Sequence, residues 1–225
     1  MAQWWALMIG NSRLHWGAFA DHTLQGIEHT DHETLGTGVQ QLQYVASVVP
    51  RQTTWIEAQF PEARVITLRD IPLRHCYPQL GIDRALAVWG AGQHYGFPCL
   101  VIDGGTALTF SGATGDRQWL GGAILPGLKL QFKSLAQATA ALPEVNLPEQ
   151  LPQRWARETQ GAIASGITRT VLAGVNDFIQ AWQAEFPQGK ILVTGGDGPW
   201  LAQHIPRLIY DPALIFRGFQ ALKEP

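Results

Sequence analysis

A buried strand, a glycine-rich turn and a second strand follow one another near the middle of the chain. The apolar residues 99–102 lead into Asp103-Gly104-Gly105-Thr106-Ala107, and residues 108–110 continue as the second strand. The carboxylate of such a turn can face a cation, and its glycine backbone and threonine hydroxyl can approach a phosphate closely. A similar but incomplete arrangement, Leu7-Met8-Ile9 followed by Gly10-Asn11-Ser12, stands near the N-terminus. Two such units predict a duplicated α/β fold with a nucleotide held between the halves.

Composition limits the class of protein. The chain has 225 residues, of which 46% are hydrophobic and 15% charged, as is typical of a globular chain with a substantial core. A net charge of −2 gives no electrostatic footprint for nucleic acid or an anionic membrane. The N-terminal residues lack the basic region and cleavage site of a signal peptide, and their apolar run is too short to span a membrane. The two cysteines indicate neither a disulfide framework nor a metal site. We therefore expect a cytoplasmic protein.

Hydrophobic periodicity and turn residues predict alternating strands and helices. We expect a hairpin over residues 4–9 and 14–19, helices over 35–49, 82–95 and 159–182, and strands over 53–56, 64–68, 99–103, 107–113, 119–124 and 191–194. The helix over 82–95 is expected to end at Gly96, shortly before Pro98. The chain is expected to divide into an N-terminal lobe, residues 1–98, and a C-terminal lobe, residues 99–225.

Three further motifs carry candidate chemistry, and each has a plain structural alternative. Gly10-Asn11-Ser12 has the composition of an ordinary hairpin turn. In Gly81-Ile82-Asp83-Arg84, Asp83 could complement the dipole of a helix, or it could face a substrate hydroxyl while Arg84 binds an anion. Thr194-Gly195-Gly196-Asp197 is either an anion site or a simple loop. The seven histidines show no ligand spacing, and we expect them to be surface or packing residues.

The order of these motifs resembles that of the type III pantothenate kinases, members of the acetate kinase/sugar kinase/Hsp70/actin superfamily, over nearly the whole chain. Gly10-Asn11-Ser12 is similar to the end of the family's first phosphate motif. Residues 81–84 match its Gly-x-Asp-Arg substrate motif, and residues 103–107 match its second phosphate motif, Asp-x-Gly-Thr-Ala. Residues 119–127 resemble the glycine-rich segment that follows, and residues 194–196 resemble the turn on the adenosine side. The resemblance implies a duplicated ribonuclease H-like, or actin-like ATPase, fold of two lobes with a nucleotide cleft.

The resemblance also implies an activity, ATP-dependent phosphorylation of the primary hydroxyl of pantothenate to 4'-phosphopantothenate, the first step of coenzyme A biosynthesis. It implies ATP, Mg²⁺ and a monovalent cation (K⁺ or NH₄⁺), and a homodimer whose pantothenate pocket involves both subunits. Asp83 would be the general base, Arg84 would pair with the pantothenate carboxylate, and Asp103 would hold the monovalent cation. The implied substrate contacts are Tyr77, Gly81, Ile82, Asp83, Arg84 and Thr159. The implied nucleotide contacts are Ile9, Gly10, Asn11, Ser12, Arg13, Thr106, Gly195 and Gly196.

Met8 departs from the family pattern, because the first phosphate motif has an aspartate at this position. A thioether cannot replace a carboxylate around Mg²⁺, which prefers oxygen ligands. Asp83 and Asp103 remain to compensate. Two alternatives therefore stand beside the active kinase: a catalytically weak or non-catalytic relative that binds nucleotide or pantothenate, and another phosphotransferase of the same superfamily.

Overall fold

Strands and helices alternate along the chain. The computed structural model describes residues 3–223; residues 1–2 and 224–225, the outer ends of the two predicted lobes, lie outside that range. The first sheet contains β1 (Gln3–Ile9), β2 (Leu14–Ala20), β3 (Thr23–Thr30), β4 (Leu42–Ser47) and β5 (Arg64–Val65). The second sheet contains β6 (Cys99–Gly104), β7 (Ala107–Ala113), β8 (Trp119–Pro126), β9 (Lys190–Thr194) and β10 (Ile209–Tyr210). The helices are α1 (Pro50–Gln59), α2 (Ile82–Tyr95), α3 (Leu128–Ala138), α4 (Thr159–Glu185), α5 (Gly198–His204) and α6 (Leu214–Lys223).

The two sheets have the same strand order. The first runs β3-β2-β1-β4-β5 and the second β8-β7-β6-β9-β10, so each reads 3-2-1-4-5 when its strands are counted along the chain. In each sheet a helix connects the last two strands, α1 in the first and α5 in the second. In the first sheet β1, β2 and β3 are antiparallel, while β4 lies parallel to β1. The predicted duplicated α/β fold is confirmed.

The chain groups into two compact units that are discontinuous in sequence. Unit 1 contains the residues up to Cys99, the segment Gly112–Gly121 and the segment from Ala213 onwards. Unit 2 contains Leu100–Ser111 and Gly122–Pro212. The single boundary after residue 98 stays a prediction about how the two lobes are divided.

The core of unit 1 shows which way the side chains of β1 point. Leu7 and Ile9 pack in one apolar cluster with Val45 of β4 and Ile56 of α1. Because successive side chains of a strand point to opposite faces, Met8 projects from the other face of the sheet, where it is 1% exposed.

Residues 35–56 differ from the sequence prediction. The predicted helix over 35–49 is wrong, because this segment contains strand β4, and the predicted strand over 53–56 is wrong, because it lies within α1. Strand β4 has both faces covered, since Val45 and Ala46 are both fully buried, and such strands lose the alternation that identifies a strand in a sequence. Helix α1 begins with Pro50, whose fixed φ suits a first helical turn. Strand β3 was not predicted.

The long helix α4 forms the core of unit 2. Its residues Ile163, Ile167 and Val171 lie in one cluster of buried residues with Ile102 of β6 and Phe110 of β7. The apolar stripe of this helix is therefore used within its own unit, as is common for an amphipathic helix.

Candidate functional site

The motif at residues 81–84 forms the start of helix α2 in unit 1. Gly81 is the residue before the helix, and Asp83 lies in its first turn. The Asp83 carboxylate turns back, and its Oδ1 accepts a hydrogen bond of 2.8 Å from the backbone N–H of Arg84. A Cβ at position 81 would overlap Asp83 Oδ1. Glycine at this position therefore allows the carboxylate to fold over the start of the helix.

The Asp83 carboxyl has an altered acidity. Burial raises its pKa, and the Arg84 N–H and the positive charge of Arg84 oppose this effect. A carboxylate with a raised pKa accepts a proton more readily than an ordinary aspartate, which suits a general base.

Arg84 lies against two aromatic side chains. Arg84 is only 8% exposed. Its Nη1 donates a hydrogen bond of 3.2 Å to the Tyr77 hydroxyl oxygen. Its Cζ lies 5.3 Å from the centre of the Trp119 ring, a cation–π distance, and the Tyr77 and Trp119 rings meet edge to face at 6.4 Å. The two aromatic side chains hold the Arg84 guanidinium in a defined place.

Trp119, which the sequence prediction does not include among the substrate contacts, is held in place by its backbone. It is the first residue of β8, and its N–H donates a hydrogen bond of 2.8 Å to the carbonyl oxygen of Arg74. Its indole Nε1 is buried and has no hydrogen-bond partner within residues 3–223. In the sequence Trp119 is only an aromatic residue two positions before a glycine pair, so its contact with Arg84 could not be predicted.

The turn at residues 10–12 connects β1 and β2 in unit 1. The Gly10 N–H donates a hydrogen bond of 3.0 Å to the Arg13 carbonyl oxygen, which closes a tight hairpin. Asn11, Ser12 and Arg13 are exposed, whereas Ile9 is buried at the end of β1. The buried Met8 side chain supplies no oxygen ligand, so Mg²⁺ does not fit at this position.

The turn at residues 103–106 connects β6 and β7 in unit 2. The Gly105 N–H donates to the Ala107 carbonyl oxygen at 3.0 Å, and the Thr106 side chain is exposed at the tip. The Gly127 N–H donates to the Thr106 carbonyl oxygen at 2.9 Å. A Cβ on Gly127 would overlap the Gly105 carbonyl oxygen, so the start of α3 lies directly against this turn.

A small set of oxygen atoms lies beside this turn. Asp103 Oδ1 and the Gly104 carbonyl oxygen both approach Gly195 so closely that a Cβ on residue 195 would overlap them. Gly195 has φ of +83°, a conformation that favours glycine. A carboxylate oxygen and a carbonyl oxygen, both ligand types that hard cations prefer, therefore lie beside Gly195.

Asp197 connects the two glycine turns of unit 2. Its N–H donates a hydrogen bond of 2.8 Å to the Gly104 carbonyl oxygen, and its carboxylate lies 3.4 Å from Lys129 Nζ. Burial raises the pKa of Asp197, and Lys129 opposes this effect. The turn Gly195-Gly196 is thus held beside Gly104.

Thr159, the remaining predicted substrate contact, is the first residue of α4 in unit 2 and is exposed. The residue before it, Glu158, caps the helix, because its carboxylate accepts hydrogen bonds from Gln160 N at 2.9 Å and Gly161 N at 2.5 Å. In the part of the chain that the structure describes, no group of three or more His, Cys, Asp or Glu side chains could hold a metal ion. No helix there has the length and apolar character needed to cross a membrane.

Comparison with known protein families shows to which family the chain belongs. The sequence model of the family described as type III pantothenate kinase matches residues 6–181. The chain belongs to the type III pantothenate kinase family. The matched range contains residues 10–12, 81–84 and 103–107, and the family that these motifs resemble is confirmed.

Curated relatives agree with this assignment. Type III pantothenate kinases of a Synechococcus species (strain JA-2-3B'a(2-13)), Nostoc species (strain PCC 7120) and Gloeobacter violaceus are 45%, 44% and 43% identical to the chain. The alignments cover 99%, 98% and 96% of this chain and 89%, 94% and 96% of the relatives.

Solved structures support the fold. A protein from Campylobacter jejuni described as a Baf family transcriptional activator is 24% identical, with a TM-score of 0.72 over 97% of this chain and 96% of its own. The ethanolamine utilization protein EutJ from Carboxydothermus hydrogenoformans is 11% identical, with a TM-score of 0.52 over 99% of this chain and 90% of its own. This member of the type III pantothenate kinase family therefore has the duplicated actin-like ATPase fold.

Proposed function

We propose that this chain transfers the γ-phosphoryl group of ATP to the primary hydroxyl of pantothenate and so forms 4'-phosphopantothenate and ADP in coenzyme A biosynthesis. The observation that carries the proposal is the start of α2, where a carboxyl group with a raised pKa stands next to a buried guanidinium. Family membership supplies the substrate class. In this family the two groups correspond to a base for the attacking hydroxyl and a partner for the substrate carboxylate.

Asp83 is the general base in this proposal. The pantothenate hydroxyl oxygen attacks the γ-phosphorus, the bond from that phosphorus to the β,γ-bridging oxygen breaks, and ADP leaves. The hydroxyl proton passes to Asp83. The backbone N–H of Arg84 holds the carboxylate at a fixed angle, which reduces the cost of orienting the base.

Arg84 binds the pantothenate carboxylate, and Tyr77, Gly81 and Ile82 complete the substrate contacts in unit 1. Trp119 acts as a positioning residue, because its ring lies against the guanidinium. A guanidinium bound to a carboxylate through two parallel hydrogen bonds combines charge with a defined direction. Pantothenate would therefore be oriented with its hydroxyl end toward Asp83.

The nucleotide contacts lie in both glycine turns. Ile9, Gly10, Asn11, Ser12 and Arg13 form the first set, and Thr106, Gly195 and Gly196 form the second. Kinases of this family use ATP with a divalent metal, and Mg²⁺ supplies positive charge to the ATP phosphates when it is bound. Asp103 and the Gly104 carbonyl oxygen hold the monovalent cation, K⁺ or NH₄⁺.

The protein acts as a cytoplasmic homodimer in this proposal. Thr159 is exposed at the start of α4, so a second copy of the chain can reach its side chain, and in this proposal that copy completes the pantothenate pocket. Pantothenate, ATP and a second copy are thus the expected partners.

Replacing Trp119 by leucine is expected to raise the KM for pantothenate roughly 2- to 30-fold, because a cation–π contact contributes about 0.5–2 kcal/mol. The kcat should change little, because the ring lies against the Arg84 guanidinium, which is assigned to substrate binding and not to proton transfer. Trp119→Phe keeps an aromatic face and should restore most of the affinity. Steady-state kinetics with thermal unfolding checks both variants, and an equal loss of affinity in Phe and Leu variants would exclude the ring contact.

Replacing Gly127 by alanine is expected to raise the KM for ATP about tenfold or more, because the added Cβ displaces the backbone of the second turn and small displacements at a reacting centre are costly. Gly166→Ala on α4 is the matched control, since a Cβ there meets open space. The control should leave the KM unchanged and stabilise the helix by about 1 kcal/mol. A normal KM for ATP in Gly127→Ala would remove the turn from the nucleotide site.

The activity is tested with the full chain, ATP and Mg²⁺ against a panel of pantothenate, glycerol, glucose and acetate. ADP is measured directly by chromatography, in K⁺ and in Na⁺ buffers. We expect ADP release only with pantothenate and only when K⁺ or NH₄⁺ is present. Turnover of another panel member instead would favour a different phosphotransferase of the superfamily.

A further inference from the structure

The face of the first sheet that carries Met8 also carries histidines. Met8 of β1 pairs directly with His15 of β2, and His15 pairs directly with His29 of β3. Residues that lie directly opposite one another in antiparallel strands project to the same face. The imidazole Nδ1 atoms of His15 and His29 are 2.8 Å apart, a hydrogen-bond distance. A row of a thioether and two imidazoles therefore begins where the family has a carboxylate.

Two of the histidines reach the first phosphate turn. The Nε2 atom of His15 lies 3.3 Å from the point where a Cβ on Gly10 would stand. The Nε2 atom of His32 is 2.9 Å from the Gly10 carbonyl oxygen. His15 thus places one ring nitrogen at the turn while the other is bonded to His29.

The hydrogen bond between His15 and His29 determines whether the His15 nitrogen that faces the turn carries a proton. One Nδ1 must donate and the other accept, and the hydrogen bond of one ring nitrogen determines the protonation of the other. When His29 donates, His15 carries its proton on Nε2 and presents an N–H to the turn. When His15 is doubly protonated, it donates from both nitrogens, and Nε2–H still faces the turn.

The surroundings of His15 keep it neutral when no anion is near. Burial and the positive charges of His29, Arg13 and His32 lower the pKa of His15 to about 4. Burial and Arg13 also lower the pKa of His29. A polyphosphate at the turn would raise the pKa of His15, because a nearby negative charge favours the charged form of an imidazole.

We propose that His15, held by His29, is a phosphate-binding residue of the first turn and that it takes up a proton when ATP binds. The imidazolium then donates Nε2–H to a phosphate oxygen and supplies positive charge at the place where Met8 cannot help to hold a metal ion. This inference rests on the proposed function, since it assigns the ligand of the turn as ATP. It also follows that ATP binding tightens as the pH falls from the pKa of His15 in the complex toward the lower pKa of the free protein.

The test is calorimetric binding of the non-hydrolysable ATP analogue AMP-PNP to the full chain at pH 6.5, in two buffers with different heats of ionisation. The difference between the buffers gives the protons taken up, and the analogue's own titration is common to all variants. We expect the wild type to take up protons when the analogue binds. The His15→Gln variant should take up fewer protons and bind the analogue at least about tenfold more weakly. The His15→Lys variant should bind with near-normal affinity but without this proton uptake. His22→Gln, at an exposed position in the turn between β2 and β3, should behave as the wild type.

Three results would overturn the proposal, and they are distinguishable. Unchanged affinity and proton uptake in His15→Gln would remove His15 from the phosphate site while leaving ATP binding intact. Equally weak binding in His15→Lys and His15→Gln would indicate that the imidazole only maintains the structure. A wild-type protein that does not bind AMP-PNP would contradict the proposed function together with this inference.

Discussion

Replacing Asp83 by asparagine is expected to lower kcat by roughly two orders of magnitude or more, the usual contribution of a general base. Asparagine has the same shape and can still accept the hydrogen bond from the Arg84 N–H, so the start of α2 should keep its structure. It cannot accept the proton of the pantothenate hydroxyl. The KM values for ATP and pantothenate should therefore change much less than kcat, and steady-state kinetics with purified protein separates these quantities.

The pH dependence of kcat/KM provides a second test of the Asp83→Asn variant. Because burial raises the pKa of Asp83, the base is ionised only above a pH higher than the usual range for aspartate. Wild-type kcat/KM should fall as the pH drops through this raised pKa, and the acid limb should be absent in Asp83→Asn. Asp177→Asn, on an exposed position of α4, is the matched control. A kcat within a factor of about three of the wild type in Asp83→Asn would remove this residue from the role of base.

Replacing Arg84 by methionine is expected to lower kcat/KM for pantothenate by about 10- to 100-fold. Hydrogen bonds to a charged group contribute about 1.5–3 kcal/mol, and each 1.4 kcal/mol corresponds to a factor of ten. Methionine keeps an apolar stem against Trp119, so the packing loss is smaller than with alanine. The KM for ATP should remain close to that of the wild type.

A substrate without the carboxylate isolates the contribution of Arg84. Pantothenol has an alcohol in place of that group, so the Arg84→Met variant and the wild type should use it with similar kcat/KM. The wild type should prefer pantothenate strongly, and the variant should lose this preference. If the variant lost activity equally toward both compounds, Arg84 would be maintaining the structure of the site and not recognising the carboxylate.

Helix α2 and the turns at residues 10–12 and 103–106 are the parts of the molecule that the sequence predicts best. The predicted helix over 82–95 coincides with Ile82–Tyr95, because good helix formers occupy its interior and Gly96 ends it. The motif residues 81–84 stand together at its start, so local sequence alone is enough to place Asp83 and Arg84 side by side.

Contacts made between distant segments were not predictable. Trp119 reaches Arg84 only because the backbone of β8 pairs with Arg74. The histidines were expected to be surface or packing residues, yet His15 adjoins the first turn because strand register places it opposite Met8. Register between strands depends on the whole sheet, and neither strand β3 nor strand β4 was recognised in the sequence.

The substitution at Met8 suggested a catalytically weak relative, and the family comparison does not favour that alternative. The curated relatives that cover nearly the whole chain are named type III pantothenate kinases. The Asp83 carboxylate and the Arg84 guanidinium retain a defined arrangement in unit 1. Met8 lies on β1, next to the turn at residues 10–12, and not at the start of α2.

Direct identification of the product tests the central claim. Purified protein is incubated with ATP, Mg²⁺, K⁺ and pantothenate, and the products are identified by mass spectrometry and ³¹P NMR, with Asp83→Asn as the control. We predict one 4'-phosphopantothenate for each ADP formed, and almost none with the control variant. ADP formation without phosphopantothenate, or equal product from Asp83→Asn, would contradict the account.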